Sequence, residues 1–155
     1  MVGSIVELSR YRWDRANEEL ENAKAVFNTG GYKLALNRSY YAIFHGMRAV
    51  NVLDEFDSSK HSGVIAHFNQ YHVKNADFEK NASKIIQNAM EMREHADYED
   101  FFVATKKDAE EQISRAEQFL EYVKVYLGNK EIIYNIIKNC CESRQIIYLS
   151  TMSFS

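Results

Sequence analysis

Residues 31–50, GYKLALNRSYYAIFHGMRAV, carry the reading on which the fold turns. At about 100° per residue, Leu36, Tyr40, Ile43, Met47 and Val50 fall within one arc of a helix, and that arc is a core stripe. Arg38 and His45 lie seven positions apart, within about 20° of each other, on the side roughly opposite that stripe. Ala42, Gly46 and Ala49 flank the pair, while Tyr41 and Arg48 border its other edge. Small side chains let another backbone approach closely, so this strip predicts a contact with a second copy of the chain.

Working outward, the hydrophobic period predicts five helices. The first covers about Ser4 to Phe27, with Leu8, Ala16, Leu20, Ala23 and Phe27 in register, and Thr29-Gly30-Gly31 ends it. The second covers about Tyr32 to Leu53. The third covers about Lys60 to Tyr71, with Ser58 or Ser59 as N-cap. The fourth covers about Phe78 to His95, followed by a turn from Ala96 to Phe101. The fifth covers about Ala104 to Leu127 and stops at Gly128-Asn129. The expected fold is all-α, an up-and-down bundle of four to five helices over residues 1–128. Residues 129–155 read as a C-terminal extension, in which Ile132, Ile133, Ile136 and Ile137 have the pattern of a short helix before an irregular tail.

Composition agrees with one helical domain. The chain has 155 residues, no Pro and only six Gly, whereas sandwiches and barrels need both at many turns. A net charge of −3 argues against coating nucleic acid through bulk positive charge, but leaves room for a small basic site. Cys140 and Cys141 are adjacent, which disfavours a bridge and points to a reducing compartment. The start MVGSIVELSRYRW lacks the apolar run of a signal peptide, and no stretch is long enough to span a membrane. The expected location is the cytoplasm, with no membrane partner.

The chemistry is concentrated on the second helix. An Arg and a His on a helix are ordinarily its solvated face. Here, however, the neighbouring strip is small rather than studded with Glu and Lys, and the pair suits metal-free phosphodiester cleavage. His titrates near neutrality and moves a proton at a ribose 2′-OH or at the leaving oxygen. Arg offers a fixed fork to phosphate oxygens. Asn37, Ser39, Tyr41, Arg48 and Arg93 are the flanking candidates for holding RNA or a nucleotide. In MREHADYED, local turn chemistry favours a structural Arg93–Asp97 pair with the Tyr98 ring packed inward. His61, at a helix start, reads as solvent-facing. A di-iron bundle needs Glu-x-x-His twice, and Glu91/His95 has neither that spacing nor a second copy, so no metal and no cofactor are expected.

At these residues the sequence resembles the HEPN family of small helical domains found in toxin–antitoxin and defence systems. The family's Arg, with a His a few residues on, is matched by Arg38-SYYAIF-His45 within NRSYYAIFHGMRAV. KHSGVIAHFNQYHV is similar to its His-x-Gly segment, and MREHADYEDF to its Arg-x-x-Ala-Asp-Tyr turn. The likeness covers about Val6 to Leu127. It implies a homodimer in which Arg38 binds and polarises phosphate and His45 transfers protons, a metal-independent endoribonuclease of toxin or defence type. A small nucleotidyltransferase antitoxin is the implied partner. Where active members often carry Asn, Asp or His directly after the Arg, this chain has Ser39. The rival expectation is a non-catalytic module that binds RNA or nucleotide, or docks a partner, through the same groove.

Overall fold

The computed structural model describes residues 2–133, and the expectations for Ile136, Ile137, Cys140, Cys141 and the tail beyond lie outside them. The described residues form five α-helices: α1 (Val2–Asn28), α2 (Tyr32–Asn51), α3 (His61–Phe68), α4 (Lys80–Tyr98) and α5 (Lys106–Asn129). A 3₁₀ turn, Val52–Asp54, extends α2, and a π turn, Asn69–Val73, extends α3. The described residues contain no strand, so the all-α bundle is as expected.

The boundaries follow local chemistry. Gly30 takes φ +83 between α1 and α2, a left-handed conformation that costs glycine little. Thr105 accepts from the backbone of Asp108 while Asp108 accepts from the backbone of Thr105, a closed capping box that starts α5. Ser58 does not cap α3. Its hydroxyl accepts from the Lys60 amide instead, and Lys60 is the N-cap residue without a side-chain bond. The fourth helix runs on through Ala96 to Tyr98, and Tyr98 is exposed rather than packed inward. Gly128 does not stop α5, which continues to Asn129; the chain turns where Glu131 takes φ 61.

α2 is the axis of the bundle, and it packs against α1, α3, α4 and α5. The predicted stripe is buried as expected: Leu36, Tyr40, Ile43, Met47 and Val50 are all fully enclosed. The opposite side differs from the expectation. Ala42 and Ala49 are also fully buried, and a Cβ on Gly46 would lie 2.9 Å from Leu120 and 3.2 Å from Phe119. Ser9 of α1 donates to the Ala49 carbonyl at 2.7 Å. The small strip therefore admits α1 and α5 of the same chain, not a second copy. A helix buried on nearly every side needs small residues wherever a neighbour comes close.

The packed unit also extends past Leu127. Ile132 and Ile133 are buried in the core cluster, and Arg10 donates to the Ile132 carbonyl at 2.7 Å. No helix among the described residues is long and apolar enough to cross a membrane.

Candidate functional site

Because α1 covers the polar side of α2, Arg38 and His45 do not face open solvent. They line a cleft of about 340 Å³ together with Asn37 and Tyr41 of α2 and with Arg15 and Glu19 of α1. The α1 contribution was not foreseen. Arg15 and Glu19 lie on α1, and only the packing of α1 onto α2 gives them a role. The signal available was their i, i+4 spacing, which joins them on one side of α1.

Glu19 organises the cleft. Its carboxylate is almost wholly buried and takes Arg15 at 3.2 Å and Arg38 at 3.1 Å. Arg15 also takes Glu18 at 3.0 Å, so two guanidinium groups meet two carboxylates here. Asp57 accepts from Arg12 at 2.7 Å and from Arg48 at 2.9 Å, so two more arginines share one acid, and the surplus positive charge lies with them. These arginines, chiefly Arg12, hold the Asp57 carboxyl down to about 2.

His45 stands amid this charge. Burial, joined by the cations of Arg15, Arg48 and Arg12 against the weaker pull of Glu19, lowers its pKa to about 4. The ring is therefore neutral at physiological pH and offers a lone pair. The neutral ring has a lone pair that can accept a proton, and the same burial and cations make it a weaker base than an ordinary imidazole.

The other sequence candidates separate. Asn37 and Tyr41 reach the cleft, and Arg38 lies 5.6 Å from the Tyr41 ring centre. Ser39 does not reach it: the residue is fully buried, with its hydroxyl facing the interior, so it cannot touch a ligand. Arg48 is committed to Asp57 and acts on His45 through charge. Arg93 sits behind the cleft, 5.0 Å from the centre of the Tyr40 ring and 5.6 Å from that of Tyr41, and is paired with Asp97 at 3.3 Å. The structural Arg93–Asp97 pair is thus present.

His61 is not a solvent-facing residue. Its ring stacks on Phe44 at 4.4 Å and meets the Tyr40 hydroxyl at 2.6 Å. Burial pushes the Tyr40 hydroxyl up to about 12 and, ahead of Arg93 and Arg48, lowers His61. Tyr40, Tyr41, Phe44 and His61 form one aromatic layer, of which Tyr41 reaches the cleft.

Comparison with known proteins agrees with this architecture. The family model for the HEPN domain matches residues 9–126. A candidate toxin of Methanocaldococcus jannaschii is 36% identical over 118 residues, covering 76% of this chain and 86% of that one. A UPF0332 protein of Thermotoga maritima is 33% identical over 110 residues, covering 71% and 83% of the two chains. The crystal structure of TT1696 from Thermus thermophilus superposes with a TM-score of 0.67 over 77% of this chain and 98% of that one; at 17% identity the likeness carries the fold alone.

Proposed function

The chain belongs to the HEPN family, and from that premise we propose that it is a metal-independent endoribonuclease of toxin type, with Arg38 and His45 as its catalytic residues. The observation that carries this reading is the neutral His45 in a cleft lined by Arg15 and Arg38. RNA brings its own nucleophile, so no activated water is needed. In the proposed step, the Nε2 or Nδ1 lone pair of His45 takes the proton of the 2′-OH. The 2′-O–P bond forms and the P–O5′ bond breaks, leaving a 2′,3′-cyclic phosphate and a 5′-oxygen that collects a proton from solvent. Arg38, and Arg15 beside it, stabilise the charge on the phosphoryl oxygens. For Arg38 to do so, the incoming phosphate competes with the Glu19 carboxylate for the same guanidinium.

The resemblance to HEPN toxins supports action as a homodimer, held by a surface other than the buried Ala42–Gly46–Ala49 strip, and neutralisation by a nucleotidyltransferase antitoxin. The test is RNA cleavage by wild type, Arg38→Ala and His45→Ala, with light scattering to count the copies. Cleavage that leaves cyclic phosphate ends, persists in EDTA and vanishes in both variants is the expected result. Full activity in His45→Ala, or a requirement for divalent metal in the chemical step, would sink the mechanism. The Arg38–Glu19 pair favours one rival: a site that holds RNA or nucleotide without cutting it. Arg38-dependent binding with no cleavage of any RNA would establish that second reading.

A further inference from the structure

His67 and His72 are five residues apart, which in an α-helix would put their side chains about 140° from each other. They are nevertheless neighbours, because the chain between Asn69 and Val73 makes a π turn, closed by the Lys74 amide on the Asn69 carbonyl at 3.0 Å. One extra residue in the turn carries His72 round to the side of His67. Asp54, from the 3₁₀ turn that ends α2, meets both. Its Oδ2 lies 2.9 Å from His67 Nε2 and 2.6 Å from His72 Nε2, and the three donor atoms all lie within 4.8 Å of one another.

The far side of His72 is also held. Nδ1 faces Asp77 Oδ2 at 3.1 Å, so this buried ring has a carboxylate oxygen at each nitrogen. A neutral imidazole has one N–H and one lone pair. If Nδ1–H donates to Asp77, the Nε2 lone pair faces an Asp54 oxygen that also offers only lone pairs, and either a second ring proton or a metal ion fills the gap between them. Asp77 then stands as the outer carboxylate that orients a metal-bound histidine. Aromatic rings complete the surround: Phe56 stacks on His67 at 4.1 Å, and Tyr126 meets the His72 ring edge-on at 5.5 Å.

We propose that Asp54, His67 and His72 bind a divalent transition-metal ion, zinc above all, which staples the end of α2 to α3 and its π turn. Two imidazoles and one carboxylate are a zinc donor set, with water in the fourth position. Bonds of about 2.0–2.1 Å in a tetrahedron put ligand atoms about 3.3 Å apart, so the cluster opens by roughly half an ångström to admit the ion. Asp54 is partly exposed and gives the ion a way in. The site is separate from the Arg38–His45 cleft and does not depend on the ribonuclease reading.

The experiment uses the full chain with no polyhistidine tag. After dialysis against Zn(II), wild type should retain about one zinc per chain, and Co(II) should give the strong visible absorption of four-coordinate cobalt. Saturating zinc should raise Tm by about 5–10 °C. His67→Ala and Asp54→Asn should each lose the zinc and the Tm rise, and Asp77→Asn should weaken binding about 10–100-fold. Circular dichroism of the metal-free variants checks that each is folded, and RNA cleavage by zinc-free wild type should be unchanged. Wild type that retains no stoichiometric zinc, so that a proton alone bridges the cluster, overturns the proposal. Equally, zinc held as tightly by both His67→Ala and Asp54→Asn overturns it.

Discussion

Two histidine sites in this small bundle are built with opposite surroundings. His45 stands among arginines on the α1–α2 side, and its burial and those cations keep it neutral. His67 and His72 stand among carboxylates at the end of α3, with Asp54 between them and Asp77 behind. The first site has spare positive charge and suits an anion; the second has spare negative charge and suits a cation. The side chain is the same, and the neighbours decide what it receives. In both places the neighbours come from other segments: α1 for the cleft, the 3₁₀ turn after α2 for the cluster.

The largest expected effect breaks the anionic side. His45→Ala should lower RNA cleavage about 10²–10⁴-fold, the usual contribution of a positioned general base. Arg38→Lys should rescue little of an Arg38→Ala loss, because an ammonium keeps the charge but not the two-pronged contact. EDTA should leave the cleavage rate intact, provided that circular dichroism shows the α3 region still folded.

The packing that separates the two sites is the next target. Ala42→Arg should cost about 3–5 kcal/mol of stability and unfold much of the protein, since it drives a charge into a fully buried position. If the variant melts like wild type and merely dissociates a dimer, the account of the strip as internal packing fails. Ending the chain at residue 128 should lower Tm clearly against an end at 133, because it removes Ile132, Ile133 and the acceptor of Arg10.

A pH titration sharpens the contrast further. The folded pKa of His45 is about 4, below its ordinary 6.5, so the unfolded chain binds more protons between those values. The His45 contribution should leave stability unaffected above pH 6.5 and lower it by about 1–2 kcal/mol as pH falls to 4, solvent around the half-buried ring screening the rest. Asp57 acts in a lower window: its folded pKa of about 2 stabilises the protein above 3.8 and loses that effect as pH falls toward 2. Urea melts of wild type and His45→Ala at several pH values should separate the two windows; curves that stay parallel from pH 7 to 4 would contradict the buried neutral ring. The smallest effect is at Glu19. Glu19→Gln frees Arg38 from its acid, while Arg15 keeps Glu18, and should tighten phosphate or nucleotide binding about 2–5-fold, as a calorimetric titration would read.

Much of the bundle was legible in the sequence, because apolar residues at helical spacing mark what must be buried. The stripe Leu36–Tyr40–Ile43–Met47–Val50 is an instance. The other side of α2 was misread for a physical reason. Ala42, Gly46 and Ala49 announce a close helix neighbour, but nothing in their spacing says whose helix it is. Arg38 and His45 were legible as a pair, whereas Arg15 and Glu19 needed the packing of α1 to become part of a site. Ser39 stands beside Arg38 in sequence, yet one step along a helix turns a side chain by about 100°, here into the core. The π turn was illegible by period, and without it His67 and His72 point apart.

The bond from Arg10 to the Ile132 carbonyl spans 122 residues, which gives the fold a clock. A ribosome adds about 5–20 residues per second, so Arg10 waits about 6–24 seconds between its own synthesis and that of its acceptor. Throughout that interval α1 can lie along α2 but cannot be tied to the chain beyond α5. The bundle is therefore latched late, only after all five helices have been made.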